Sequence, residues 1–493
     1  MINVKDEALP SLAGADTPVL PVISSFVSDL SPCLPYPSSR LSAHPPVTGD
    51  FLLSQPKITD EKLVIKGAVP LKGELSISGA KNSVLKVMAA ALLTHETVEI
   101  HNVPHLSDVS VMASVLEDLG AHVEHLGNVM RINAAHINNT KASYELVSKM
   151  RASFIVLGAL LGRCGEALVP LPGGCSIGKR SVDLHIRGLQ ALGAELKLDQ
   201  GYVDATCAKL IGREIMLDVP SVGATENLLL AATLAEGTTV ISNAAQEPEI
   251  IDLVNFLNAI GANISGEGTS EIIIHGVKQS DLHGASFAIM PDRIETATYM
   301  IAAAGTRGNV VLHQVVPGHL TSVIRKLEDM GISVITEGPN TLRVIGSNRL
   351  EAQNIVTQPY PGFPTDIQAP FMPLLAIADG VSIITETVYE NRFKHIGELK
   401  RMGANIQPEG NVAIINGGPP LMGTQVNASD LRAGAALIIA GLIAEGTTEI
   451  SGLHHIDRGY ERVVEKLSGI GACIKRVKMS RSDLAQVAAS PVQ

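Results

Sequence analysis

One phrase recurs six times along this chain, and it restricts the fold more than any other feature. The pattern L-x-x-[LIM]-G-[AI] occupies residues 116–121, 189–194, 257–262, 327–332, 399–404 and 467–472. Its glycines, Gly120, Gly193, Gly261, Gly331, Gly403 and Gly471, stand 73, 68, 70, 72 and 68 residues apart. A second phrase keeps step with it: AALLTHETVEI, ALLGRCGEALV, ATLAEGTTVI, AAAGTRGNVV, LAIADGVSII and GLIAEGTTEI. Self-similarity in one register means one supersecondary unit used repeatedly. Solenoids repeat at about 20 to 50 residues, so this longer period predicts compact subdomains.

Each unit reads alike. An Ala/Leu-rich helix ends at a polar-Gly turn and gives way to a β-branched strand. An amphipathic helix follows and closes on glycine, which supplies a left-handed C-cap. Short alternating segments such as HVEHL and ELKLD then read as strands. Helices alternating with strands make an α/β unit whose helices need a sheet to cover. The regular parts are scaffold, so chemistry is sought where the copies differ.

Residues 1–61 stand apart. Nine of the 27 prolines fall there, with no sustained periodicity, which predicts a flexible N-terminal extension. It holds one Arg and several acids, and no basic start followed by an apolar run, so neither a transit peptide nor a secretory signal is expected. The remaining chain is rich enough in apolar residues (45% overall) to bury a large core, built without Trp. Scarce aromatics remove the stacking platforms of single-strand binders, and a net charge of −11 removes the electrostatic footprint of a DNA-binding protein. The longest apolar stretch, residues 435–444, is too short to cross a bilayer. Five scattered cysteines without CxxC spacing suit a reducing cytoplasm rather than a disulfide framework or a zinc site.

The most unusual segment is PGGCSIGKR, residues 172–180, continuing SVDLH. Glycines around Cys175 make a loop that approaches a ligand closely, and Lys179 and Arg180 favour thiolate and hold anions. SGAKN sets Lys81 just after a strand at a helix start, where backbone donors and an ammonium together bind phosphate or carboxylate. KMRAS opens an apolar helix with Arg151, and HHIDRGYER places Arg458 among polar groups beside a strand. Asp292, Asp366 and Asp430 lie in turns, where a helix N-cap and a functional carboxylate are both open readings. Pro104 breaks the face that His101 and His105 would need to share a metal. Neither GxxxxGK[ST] nor GxGxxG occurs, which weighs against ATP or NAD dependence.

Taken together, SGAKN, KMRAS, PGGCSIGKR-S-VDLH, SVGATEN, MPDRIET, FPTD, ENRF, SDLRA and HIDRGYE resemble the UDP-N-acetylglucosamine 1-carboxyvinyltransferase family of enolpyruvyl transferases, in order from about residue 62 to 478. The resemblance implies a two-domain inverted α/β barrel of six βαβαββ units, three per domain. One domain would comprise residues 62–80 with 291–478 and the other 81–290, with the Cys175 loop as lid and 479–493 as a C-terminal tail. It implies transfer of the enolpyruvyl group of phosphoenolpyruvate to the 3-hydroxyl of UDP-N-acetylglucosamine, the first committed step of peptidoglycan synthesis. No cofactor, metal, nucleic acid or membrane is called for, and the enzyme would be a cytoplasmic monomer or weak oligomer.

By the same resemblance Lys81, Arg180 and Arg458 bind phosphoenolpyruvate, with Asn82 beside Lys81. Arg151, Arg180, Ser181, Val182, Asp183, Leu184, Ser221, Val222, Gly223, Asp366 and Val388 contact the UDP-sugar. Asp366 would be the base and Cys175 the acid, with Arg392 and Asp430 as further candidates. Val219-Pro220 stands where some members have Lys-Val, and Ser110 where some have an acid. The sister transferase acting on shikimate 3-phosphate lacks the PGGC loop, RNA 3′-phosphate cyclases need ATP and a His nucleophile, and an inactive regulatory paralogue would be expected to lose Cys175, Lys81 or Arg458.

Overall fold

The computed structural model of the chain describes residues 61–172 and 182–479, all within one compact unit. The N-terminal extension up to residue 60, the loop 173–181 with Cys175, Arg180 and Ser181, and residues 480–493 lie outside the described residues.

The third repeat shows the unit in full. Strand Glu214–Met216, helix Val222–Ala232, strand Thr238–Ser242, helix Pro248–Ala259 and strands Asn263–Ser265 and Glu271–His275 follow in a βαβαββ order. The first two strands pair in parallel across the first helix; the last two form an antiparallel hairpin that joins the same sheet. Among the described residues five four-stranded sheets and one three-stranded sheet are formed from such units. The three-stranded one has only a single bridge, Lys141 to Leu168, where its parallel edge strand would lie.

Three units borrow strands from distant sequence, one of them the fourth, where Lys72–Ser76 pairs in parallel with Asn309–His313. Ser286–Ala288 pairs in parallel with Thr97–His101, so the end of the third repeat completes the first. Glu61–Lys66 lies between Thr447–Ser451 and Cys473–Lys478, so the start of the described chain completes the sixth. The buried side chains accordingly gather into two apolar cores. One draws on residues 80–289, the other on 63–77 and 294–474.

The six glycines of the repeat all adopt positive φ, between 88° and 105°. That conformation suits glycine because no Cβ meets the following carbonyl. It lets the N–H of the last motif residue reach back to the carbonyl of the first: Ala121 to Leu116, Ala194 to Leu189, Ala262 to Leu257, Ile332 to Leu327, Ala404 to Leu399 and Ala472 to Leu467, at 3.0–3.2 Å. The recurring phrase is thus six copies of one helix stop, satisfying carbonyls that the helix end leaves orphaned.

The first helix of each repeat is the buried one. Leu431–Ile443 (LRAGAALIIAGLI) buries 11 of its 13 residues, and small side chains let its neighbours close in. A Cβ on Gly305 of helix Arg293–Gly305 would stand 2.5 Å from Ile443 Cδ1, showing how Ala and Gly replace large aromatics in this core. The second helix of the fourth repeat covers a sheet, and its apolar stripe is narrow. Thr321–Asp329 buries only Val323 and Leu327.

Candidate functional site

The chain passes between its two cores at adjacent segments, outward after strand Lys72–Ser76 and back before helix Arg293–Gly305. Backbone bonds lace them together: Ala80 N–H to Met290 O at 2.8 Å and Asp292 N–H to Ser78 O at 2.9 Å. Gly79 bridges Pro291 so closely beneath Asn102 that a Cβ would fall 1.8 Å from the Asn102 carbonyl oxygen. Asp292 takes the bland role left open for it, since its Oδ1 caps Arg293–Gly305 by accepting from Ile294 and Glu295 N–H. Its Oδ2 accepts the Lys81 N–H at 3.1 Å. Underneath, Asp252 accepts from Ser83 Oγ and, at 3.3 Å, from Met290 N–H. Burial pushes the Asp252 carboxyl up to about 6.

Lys81 opens helix Lys81–Ala90, and its ammonium donates to Asp108 Oδ2 at 2.8 Å. Arg458 reaches the same carboxylate from the other core, with Nε at 2.8 Å from Oδ1. Burial alone would resist ionising Asp108, yet Lys81 and Arg458 outweigh it and hold its pKa below the ordinary value. Burial lowers the Lys81 pKa, Asp108 opposes that, and Arg432 and Arg458 add to the lowering. Two cations remote in sequence therefore face one point, and an acid that sequence reading gave no role holds them there. Asn82 lies one residue further along the same helix.

The second group surrounds Asp366. This residue sits in the first turn of helix Thr365–Ala376, which Pro364 rather than Asp366 precedes as N-cap, so its carboxylate is not spent on capping. Oδ1 accepts from Arg392 and Oδ2 from Arg432 at 2.8 Å. Arg432 continues to the Tyr460 hydroxyl at 3.3 Å, which meets Thr298 Oγ1 at 2.9 Å. Asp366 raises the already high pKa of Arg432 against the effect of burial. Asp430 caps the helix that carries Arg432, accepting from Arg432 and Ala433 N–H at 2.9 and 3.0 Å. Val388 N–H donates to Glu386 Oε1 at 2.8 Å, which fixes the turn leading to Arg392.

A third group lines the other core around His185. Helix Asp183–Ala191 begins beside Val182 and carries Leu184 and His185 in its first turn. The imidazole meets Asn227 at 2.8 Å and the Phe154 ring edge-on at 5.3 Å between centroids. Gly223 abuts it, since a Cβ there would lie 3.1 Å from His185 Cε1, while Ser221 caps the Gly223 helix through Ala224 N–H at 3.4 Å. Burial, then Arg151 and Lys86, lowers the His185 pKa to about 4. Arg151, Val182–Leu184 and Ser221–Gly223 thus converge about one neutral imidazole.

Asp108 and Arg432 were missed as site residues. Asp108 reads as an ordinary first-turn acid of helix Ser107–Asp118. One signal lay in the repeat. Glu249 holds the same repeat position, counted back from Gly261 rather than Gly120, and likewise binds an arginine of the other core, Arg293, at 3.0 Å.

Residues 65–467 match the family described as EPSP synthase (3-phosphoshikimate 1-carboxyvinyltransferase). UDP-N-acetylglucosamine 1-carboxyvinyltransferase of Trichormus variabilis is 51% identical over 88% of this chain and 98% of its own length. The proteins of that name from Gloeobacter violaceus and Geobacter metallireducens are 53% and 51% identical, each over 85% of this chain and over 91% and 100% of their own length. Among solved structures, the enolpyruvyl transferase NikO from Streptomyces tendae matches with a TM-score of 0.77 at 27% identity, over 85% of this chain and 99% of that one. EPSP synthase from Acinetobacter baumannii shares the fold at a TM-score of 0.67 and 20% identity, over 85% of this chain and 99% of its own.

Proposed function

The chain belongs to the UDP-N-acetylglucosamine 1-carboxyvinyltransferase family of enolpyruvyl transferases, and from that premise we propose how its residues carry the reaction. The substrates are phosphoenolpyruvate and UDP-N-acetylglucosamine, and the product is the 3-enolpyruvyl ether that enters peptidoglycan synthesis. The observation that carries the reading is the meeting of Lys81 and Arg458, from opposite cores, at one buried carboxylate.

Phosphoenolpyruvate binds at Lys81 and Arg458, with Asn82 alongside and Arg180 added from the loop. Fixed cations there stabilise the charge on its carboxylate and phosphate as the reaction proceeds. The sugar nucleotide lies along Arg151, Arg180–Leu184 and Ser221–Gly223, its 3-hydroxyl directed to Asp366. Both Asp366 oxygens already hold guanidiniums. A carboxylate offers about four lone-pair sites, and the 3-hydroxyl is accepted alongside these bonds. Arg392 and Arg432 fix its direction.

The hydroxyl oxygen adds to C2 of phosphoenolpyruvate as its proton passes to Asp366, and Cys175 delivers a proton to C3. The resulting ketal loses a proton from C3, the double bond between C2 and C3 re-forms, and the C2–O bond to phosphate breaks. Phosphate is released, and neither metal nor nucleotide enters the balance. Mass spectrometry of the nucleotide product tests this: the enolpyruvyl ether is expected from wild type, and unchanged UDP-sugar would refute the assignment. Residues 62–80 with 291–478, and 81–290, would form the two domains, with the substrates between them.

A further inference from the structure

Among the described residues Glu461 forms its hydrogen bonds with neither Lys81, Asp108 nor Arg458, yet it joins the three segments that carry them. It lies three residues after Arg458, just before a left-handed turn at Arg462 (φ 47°) that starts helix Val463–Gly469. Its Oε1 accepts the backbone N–H of His105, three residues before Asp108, at 2.8 Å. Its Oε2 accepts from the hydroxyl of Ser78, three residues before Lys81.

The direction of the Ser78 bond is fixed by its other partner. Lys466 Nζ lies 2.6 Å from Ser78 Oγ and 2.7 Å from Glu295 Oε1. An ammonium has only donors, so Ser78 Oγ accepts from Lys466 and its own hydrogen goes to Glu461. The Ser78 backbone N–H donates to Glu295 Oε2 at 2.7 Å, which closes the ring. One segment belongs to the first core, one to the second, and Ser78 to the crossing between them.

We propose that Glu461 is a positioning residue for phosphoenolpyruvate, aligning Lys81, Asp108 and Arg458 across the two cores through His105 and Ser78. The proposal rests on the assignment of Lys81 and Arg458 to that substrate. A glutamine at this position keeps the volume but removes the charge and one acceptor oxygen: it holds the His105 N–H only by turning its amide N–H to Ser78 Oγ, which reverses that bond, weakens it and leaves the Ser78 hydrogen without its acceptor. Each of the three charged groups is then free to shift without losing its direct partner.

Steady-state phosphate release by the full chain tests it, with both KM values and the thermal midpoint read for each variant. Glu461→Gln is expected to raise KM for phosphoenolpyruvate about tenfold, since small misplacements of positioned groups carry large kinetic costs. KM for UDP-N-acetylglucosamine should stay within about twofold and the midpoint within a few degrees, because the folding cores are untouched. Ser78→Ala should act in the same direction, Ser78→Thr should restore the wild-type value, and Glu461→Gln/Ser78→Ala should be no worse than Glu461→Gln. A wild-type KM for phosphoenolpyruvate in Glu461→Gln overturns the proposal. So does an equal rise for both substrates that tracks lost stability. If Glu461→Gln does not fold, equal KM values for Ser78→Ala and Ser78→Thr overturn it. Absence of turnover in wild type would instead sink the functional assignment itself.

Discussion

Asp108 decides how much of the positive charge at the crossing is available to an anion. It engages Lys81 and Arg458 at 2.8 Å each while almost fully buried. Removing its charge leaves two cations without the group that aligns them, the situation in which breaking a buried pair is expensive. Asp108→Asn is therefore expected to lower kcat/KM for phosphoenolpyruvate by roughly 30-fold or more, the equivalent of about 2 kcal/mol. Initial rates at varied phosphoenolpyruvate measure this, and an unchanged value would remove Asp108 from the site. Cys175 poses a different question. Its loop lies outside the described residues, and Lys179 and Arg180 favour thiolate, whereas a proton donor must be a thiol. Cys175→Ser should lose most turnover and abolish covalent inactivation by the epoxide fosfomycin. Alkylation of Cys175 followed against pH should shift when UDP-sugar binds; identical profiles would contradict an acid role. His185 has the opposite protonation behaviour. Its folded pKa lies near 4, below the ordinary 6.5, so the fold binds fewer protons than the unfolded chain between these values. Its contribution to stability is present above pH 6.5 and is lost as pH falls toward 4. Ring proton shifts of His185 should titrate near 4, and a midpoint near 6.5 would show the imidazole to be solvated.

At the level of elements, the six glycine stops differ in how much room surrounds them. Beyond its own neighbours, Gly471 has open space where a Cβ would go, so Gly471→Ala is expected to cost only the backbone term, about 1–2 kcal/mol. At Gly120 the same Cβ would also stand 2.6 Å from Asn138 Oδ1 and 2.8 Å from the His136 carbonyl, so Gly120→Ala should cost more. Thermal or urea unfolding of the pair checks the order, and equal losses would mean that the 136–138 segment moves aside freely. These stops were legible in the sequence because each is local, a leucine, a glycine and an Ala or Ile within six positions. The carboxylates were less so. Asp292, Asp366 and Asp430 look alike in their turns, yet Asp292 and Asp430 cap helices while Pro364 precedes the helix of Asp366 and leaves that carboxylate for two arginines. Pairs such as Asp108–Arg458 and Glu249–Arg293 were out of reach. Their partners belong to different cores, far apart in sequence and brought together only by the fold.

For the molecule as a whole, six similar units are divided between two cores, and the chain crosses between them twice at one laced junction. Lys81 and Arg458, the cations proposed for phosphoenolpyruvate, are drawn from both sides of that junction, the Asp366 group from one core and the His185 group from the other. An enzyme arranged this way needs both parts before its charges are aligned, which ties the chemistry to the fold rather than to any single loop. Released phosphate tests the central claim most directly, measured with phosphoenolpyruvate and one acceptor at a time, without added metal or nucleotide. Stoichiometric release with UDP-N-acetylglucosamine and none with shikimate 3-phosphate is the predicted result; release with shikimate 3-phosphate alone would contradict it.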